Sequence, residues 1–214
     1  MPFRARQFVA WCSARGFTTR LVIPTPPGSS RRAVFTDDGT RWGLARRLLH
    51  DDTLATADRV AGLLVVLYGQ PISRIVRLTT DQVSQVDGQV RLMLGRAPLT
   101  VPSPLDTLLL ELVRTRRGRA SLGHTVNHRW LFPGGLPGQA LHPLALGKRL
   151  SAVGLPGRVG RNTALLDNAA VLPAKVLADL LGLSITSAVR WTALADPSGN
   201  AYAAELARRA HDPR

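Results

Sequence analysis

The apolar positions group into short runs separated by Gly and Pro, and most of these runs have helical spacing. Residues 3–15 predict a short amphipathic helix, with Phe8, Trp11 and Cys12 on one face. A Pro/Gly/Ser linker, Pro24 to Ser30, follows, and the main body starts near Phe35. Helices are predicted around Trp42–Leu49 and from Thr56 through the apolar run Val60–Tyr68. Gly69 and Pro71 end the second of these, Gly as the residue past the helix end and Pro just beyond it. That helix is apolar nearly all round, so it belongs at the centre of the core. A short helix over Ile72–Leu78 comes next.

The pattern then changes. Val83–Val86 and Gln89–Leu94 flank Asp87-Gly88, a dipeptide suited to a type I′ hairpin because both positions tolerate φ > 0. Leu99–Val101, between Pro98 and Pro102, forms a third strand. Ser103-Pro104-Leu105-Asp106 reads as a helix start, with Ser as N-cap, Pro at the first helical position and Asp at the third. That helix runs to the basic cluster Arg114, Arg116, Arg117 and Arg119. After a Gly/Pro-rich loop around Trp130-Leu131-Phe132, helices are predicted at 143–153, 162–172, 173–181, 185–195 and 197–210. The fold class is mainly α with a small three-stranded antiparallel β-sheet.

Charge changes this picture most. The chain has 214 residues and a formal net charge of +14. Its 28 basic residues are all Arg except Lys148 and Lys175. Codon bias explains Arg over Lys but not Arg over acid. Arg is the planar, permanently charged fork suited to phosphate, so the surplus points to a polyanion, most simply nucleic acid. Residues 1–50 carry +7 and residues 113–161 carry +9, and no acid occurs from Leu112 to Leu166. So long a stretch without a carboxylate reads as a surface facing phosphates.

Other classes are excluded or lack support. One cysteine, Cys12, rules out a disulfide framework and a Cys-based zinc finger. The longest apolar run has nine residues, far below the roughly 20 of a membrane helix. The apolar stretch Phe8–Cys12 is too short for a signal peptide. There is no Walker loop and no dinucleotide fingerprint. His124 and His128 have i,i+4 ligand spacing, but no nearby Cys or carboxylate completes a zinc site. Asp51-Asp52 is a pair in sequence only and suits helix capping better than acid–base work. No cofactor and no metal are expected.

The best local motif is residues 177–191. Ala178, Gly182 and the following Leu-Ser fit a helix-turn-helix, in which Thr186, Ser187 and Arg190 would face a groove. Two core helices joined by a tight turn fit the same pattern equally well.

Residues 37–214 resemble the catalytic domain of the tyrosine recombinase (phage integrase) family. Tyr68-Gly69-Gln70-Pro71-Ile72-Ser73-Arg74-Ile75-Val76-Arg77-Leu78-Thr79-Thr80-Asp81 is similar to that family's first box, Thr-Gly-Leu-Arg-Ile-Ser-Glu-Leu-x-x-Leu-x-x-x-Asp. Arg158-Val159-Gly160-Arg161-Asn162-Thr163 resembles the second, His-x-Leu-Arg-His-Thr, and Leu180-Leu181-Gly182-Leu183 resembles Leu-Leu-Gly-His. The order of elements matches as well. The resemblance implies residues 35–214 as a recombinase-like DNA-binding domain, with residues 1–34 as the remnant of an arm domain in a shortened relative.

It also implies a chemistry. In the family a tyrosine hydroxyl attacks a DNA phosphodiester, while Arg, His and Lys groups stabilise the charge on the phosphate. Carried over residue by residue, the first arginine position holds Pro71. The positions of the three histidines hold Arg158, Asn162 and Leu183. The nucleophile position holds Thr192, and Arg96 lies nearest the place of the hairpin lysine. Arg161 matches the second-box arginine, as a phosphate ligand or a structural cation. Tyr202, ten residues beyond the expected place, is either a displaced nucleophile or an ordinary half-buried tyrosine. Trp130 and Trp191 read as packing residues rather than stacking platforms.

The expectation is a DNA-binding protein related to recombination or integration, its catalytic set degenerate, leaning against an enzyme. Its partners would be double-stranded DNA and a further copy or a partner recombinase, in the cytoplasm with the nucleoid and not at a membrane. The DNA-facing set is Arg74, Arg96, Arg114, Arg116, Arg117, Arg119, Lys148, Arg149, Arg158, Arg161 and Arg190. Two readings stand against it: a helix-turn-helix regulator reading DNA through residues 177–191, and a scaffold with a basic surface.

Overall fold

One apolar helix organises the larger part of the chain. The computed structural model describes residues 9, 11–17, 37–116, 128–155 and 157–196, with the backbone only at 157–159. The chain divides into two units, Met1–Ala33 and Val34–Arg214. In the first, residues 11–14 are helical and Trp11 stacks on Phe17 at 5.8 Å. The expected linker 24–30 and helix 197–210 lie outside the described residues.

In the second unit, helix α1 (Asp38–His50) is capped by the Asp37 carboxylate, which accepts from the Thr40 N–H at 3.1 Å. The helix begins four residues before the expected Trp42, because that cap and Arg41 extend it. Helix α2 (Thr56–Val66) is buried from Arg59 to its end, as its all-apolar surface requires. It packs against α1 and, further along the chain, against α4 (Leu105–Thr115), α5 (Pro143–Ala152) and α6 (Gly157–Val171). Gly69 (φ 60°) donates to Val65 O and Gln70 to Leu64 O, each at 3.0 Å, the left-handed closure expected of a Gly after a helix.

Helix α3 is α-helical only over Ile72–Ile75, shorter than expected. Arg77 and Leu78 then bond three residues back at 3.0 and 3.1 Å, which tightens the last turn. A 3-10 turn, Thr80–Gln82, leads into the sheet. Strands β1 (Val83–Val86), β2 (Gln89–Leu92) and β3 (Leu99–Thr100) are antiparallel in the order β1-β2-β3. Val83 pairs with Leu92 and Val86 with Gln89 across the Asp87-Gly88 turn, whose φ values are 52° and 75°. Val90, Leu92 and Leu94 face the core.

Two helix starts differ from expectation. Pro104, not Ser103, occupies the cap position of α4, and no side chain caps it; the Asp106 carboxylate instead accepts from the Thr107 N–H at 2.6 Å. Helix α6 begins at Gly157, five residues before the expected Asn162. Gly157 and Gly160 are weak helix formers, and the ties from this helix to the residues after α2 begin at Arg161, which donates to Gly69 O, and continue at Asn168, which donates to Leu67 O. The chain closes with α7 (Ala174–Leu181) and α8 (Ile185–Ala195), joined by Gly182 in the left-handed conformation. Among the described residues the large side chains of Leu63, Leu64, Phe132, Leu146, Leu165 and Leu177 are less than 2% exposed. Burial of each contributes about 1.5–3 kcal/mol. Among the described residues no helix is long and apolar enough to cross a membrane.

Candidate nucleic-acid interface

Two joints bring distant sequence motifs together. At the first, α6 crosses the end of α2. Arg161 Nε donates to Gly69 O at 2.8 Å, and Asn168 Nδ2 donates to Leu67 O at 2.8 Å. A Cβ at Gly69 would strike the Leu165 side chain, so only glycine allows this approach. The turn after Tyr68 thus meets the helix that carries Arg161. Tyr68 is half-buried, and that burial pushes its hydroxyl up to about 12.

At the second joint the β2–β3 turn meets the α7–α8 turn. Arg96 N–H and Ala97 N–H both donate to Asp179 O, at 2.7 and 3.1 Å. Arg74 Nη1 donates to Leu181 O at 2.9 Å and Gly182 O at 2.8 Å, and its Nη2 donates to Leu94 O. Burial lowers the Arg74 pKa from its usual value, yet arginine stays charged at neutral pH. Between the two turns lies a cleft of about 630 Å³, lined by Arg74, Arg96, Lys175, Asp179, Ser184 and Ile185 among others. Gln70 is buried beside this joint, its Nε2 on Leu181 O at 3.1 Å.

The expected DNA-facing residues fall into separate groups. Arg96, Arg114, Lys148 and Arg190 are exposed and form no ion pair among the described residues. Arg149 pairs with Asp58 at 2.8 Å. The Arg116 guanidinium turns onto Val113 O and His128 O, and Arg74 is held by the three carbonyls above. Arg117, Arg119, Tyr202 and the side chain of Arg158 lie outside the described residues. Pro71 is the cap residue of α3, and Thr192 donates to Ala188 O and Val189 O of its own helix. Ala178 is buried, Thr186 is exposed and Ser187 half-exposed. Ser184 caps α8 through the Ser187 N–H at 3.2 Å. Trp130 donates from Nε1 to Gly138 O at 2.8 Å and lies under the Arg129 guanidinium at 4.5 Å, and Trp191 is half-buried against the core.

Two further arginines, Arg41 and Arg59, have buried partners that the sequence alone does not show. Arg41, 3% exposed, bonds Val66 O at 3.0 Å and pairs with Asp167 of α6. Arg59, 5% exposed, bonds Leu48 O at 2.9 Å and Asp52 at 2.6 Å. The available signal was position: Arg41 shares a helical face with Ala45 and Leu48, and Arg59 one with Leu63. Asp51 accepts from the Thr53 hydroxyl and from Arg47 at 3.2 Å, which lower its pKa. His128 is buried, and His124 lies outside the described residues. Among the described residues no three His, Cys, Asp or Glu are placed to hold a metal.

No family model matches this sequence, and no curated protein matches it. Solved structures do match by shape. XerH site-specific recombinase, bound to its palindromic difH substrate in a post-cleavage complex, superposes with a TM-score of 0.58 at 13% identity over 87% of this chain. The chain spans 57% of the XerH chain's length. Tn1549 transposon integrase in complex with transposon right end DNA gives a TM-score of 0.59 at 14% identity, covering 94% of this chain and 76% of that one. XerA recombinase gives 0.53 at 14%, covering 100% and 84%. The fold is that of tyrosine-recombinase catalytic domains.

Proposed function

We propose that this chain binds double-stranded DNA in a process related to recombination or integration, and that it no longer cuts the strand on its own. The acid-free run Leu112–Leu166 carries this reading, because it leads straight into Arg161 on a fold shared with recombinases solved on DNA. In this reading Arg96, Arg114, Lys148 and Arg190 contact phosphates. Arg161 stands where the resemblance puts a phosphate ligand, joined to the first-box turn through Gly69. Arg117, Arg119 and Arg158 extend the same surface.

The absent groups support the loss of cutting. Pro71 has no cation to offer, Leu183 no proton, and the Thr192 hydroxyl is turned back on its own helix. Each missing transition-state contact costs about 100-fold or more. Tyr202 is the remaining candidate nucleophile. The chain acts with the nucleoid as a homo-oligomer or beside a partner recombinase, which supplies what it lacks.

A second reading has one observation in its favour. Ser184 caps α8, and Thr186 and Arg190 are exposed on it after a left-handed Gly182 turn, the arrangement of a groove-reading helix. A nicked duplex that traps covalent intermediates, resolved on a denaturing gel, tests the main reading. It predicts salt-sensitive binding with no adduct. An adduct that disappears in Tyr202→Phe contradicts it, and binding confined to one palindromic site and relaxed by Arg190→Ala favours the second reading.

A further inference from the structure

The second joint fixes the backbone beneath an exposed cation, Arg96. Arg96 sits in the short turn between β2 and β3, a surface position where side chains are ordinarily mobile. Here the turn is pinned. Its two amides share Asp179 O, and a Cβ on Gly95 would strike that same carbonyl. From the other side, a Cβ on Gly182 would strike Leu94 O and the Arg74 guanidinium. Arg74 occupies the centre, its fork bridging the start of the β2–β3 turn (Leu94 O) and the end of α7 (Leu181 O and Gly182 O). The family's first box carries Glu at this place. A carboxylate facing three carbonyl oxygens would be repelled, so the bridge belongs to this chain's arginine.

We propose that Arg74 is a positioning residue that holds Arg96 in place for a DNA phosphate. This rests on the DNA-binding reading above. Fixing the turn before DNA arrives removes an ordering cost that a loose loop would incur on binding. Arg74 touches no DNA itself; its donors serve the two turns. The exposed side chain of Arg96 projects from the pinned backbone beside Lys175 and Ser184.

The test joins two readouts on the full chain. Hydrogen exchange without DNA reads the bridge: Arg74→Met accelerates exchange at the Arg96 and Ala97 amides by at least about tenfold, while α2 amides keep their protection. Titration of a fluorescein-labelled duplex of arbitrary sequence at several salt concentrations reads the consequence. Arg96→Ala makes the log–log salt slope shallower by about one. Arg74→Met gives the same loss, the double variant adds nothing further, and Arg74→Lys restores part of it. Gly95→Ala, which attacks the bridge from the other side, reproduces the phenotype should Arg74→Met fold poorly. Additive losses, or an affinity loss with the wild-type slope, would show a merely structural arginine and overturn the proposal. Unchanged exchange at Arg96 would overturn it too. A wild-type chain that shows no salt-sensitive binding sinks the DNA reading instead, and the exchange data still report the bridge by themselves.

Discussion

The arginines of the α1–α2 layer and those of the outer rim are the same residue in opposite circumstances. Arg41 and Arg59 are almost fully buried and face helix-end carbonyls and carboxylates. Arg96, Arg114 and Arg190 are exposed and unpaired by any acid among the described residues. The difference teaches that a charge count overstates the exposed positive surface. Part of this chain's surplus is mortar between helices, and Arg74, Arg116 and Arg149 belong with that inner group by their partners. What assigns a cation to one group or the other is whether the fold brings acceptors to it.

The largest effect that would break this contrast is in the core. Arg41→Met leaves Asp167 and Val66 O without their partner and costs about 3 kcal/mol in urea unfolding, with no change in the DNA salt slope. A loss below roughly 0.5 kcal/mol would place Arg41 with the surface residues. Arg59→Met uncaps the end of α1 and costs about 2 kcal/mol by the same measurement.

Tyr68, at the seam between core and site, sharpens the picture through pH. Its hydroxyl titrates near 12 in the folded chain, against about 10 when unfolded. The unfolded state therefore releases its proton first as pH rises. The stability this burial contributes is whole below pH 10 and is lost between about 10 and 12. Tyr68→Phe should flatten the decline in that window; an identical decline would mean the hydroxyl is solvated. The smallest stability effects belong to the rim. Arg114→Ala and Arg190→Ala each change unfolding free energy by less than roughly 0.5 kcal/mol, measured in urea, while each makes the salt slope shallower by about one.

Local chemistry made much of the fold readable. Asp87-Gly88 marks the hairpin, Gly69 with Pro71 marks the end of α2, and the helix over 185–195 has the bounds its sequence predicts. What escaped depended on partners far along the chain. The first turns of α6 look like loop because of Gly157 and Gly160, and the ties that hold them reach back to Gly69, 92 positions from Arg161. The acceptors of Arg74 at Leu181 and Gly182 lie 107 and 108 positions away, so its bridge between two turns is invisible in the sequence. Side-chain charge is visible in sequence; the carbonyl that claims it is not. That Pro71, Leu183 and Thr192 stand where the resemblance would place Arg, His and Tyr is a matter of residue identity, legible in the sequence alone.

Whether the exposed arginines meet DNA is decided by duplex affinity against salt for the wild-type chain and for the triple variant Arg96→Ala, Arg114→Ala, Arg190→Ala. The wild type is expected to show a linear log–log decline, and the triple variant a slope shallower by about three with stability nearly unchanged. A wild-type affinity that ignores salt, or a triple variant with the wild-type slope, would contradict the DNA-binding reading.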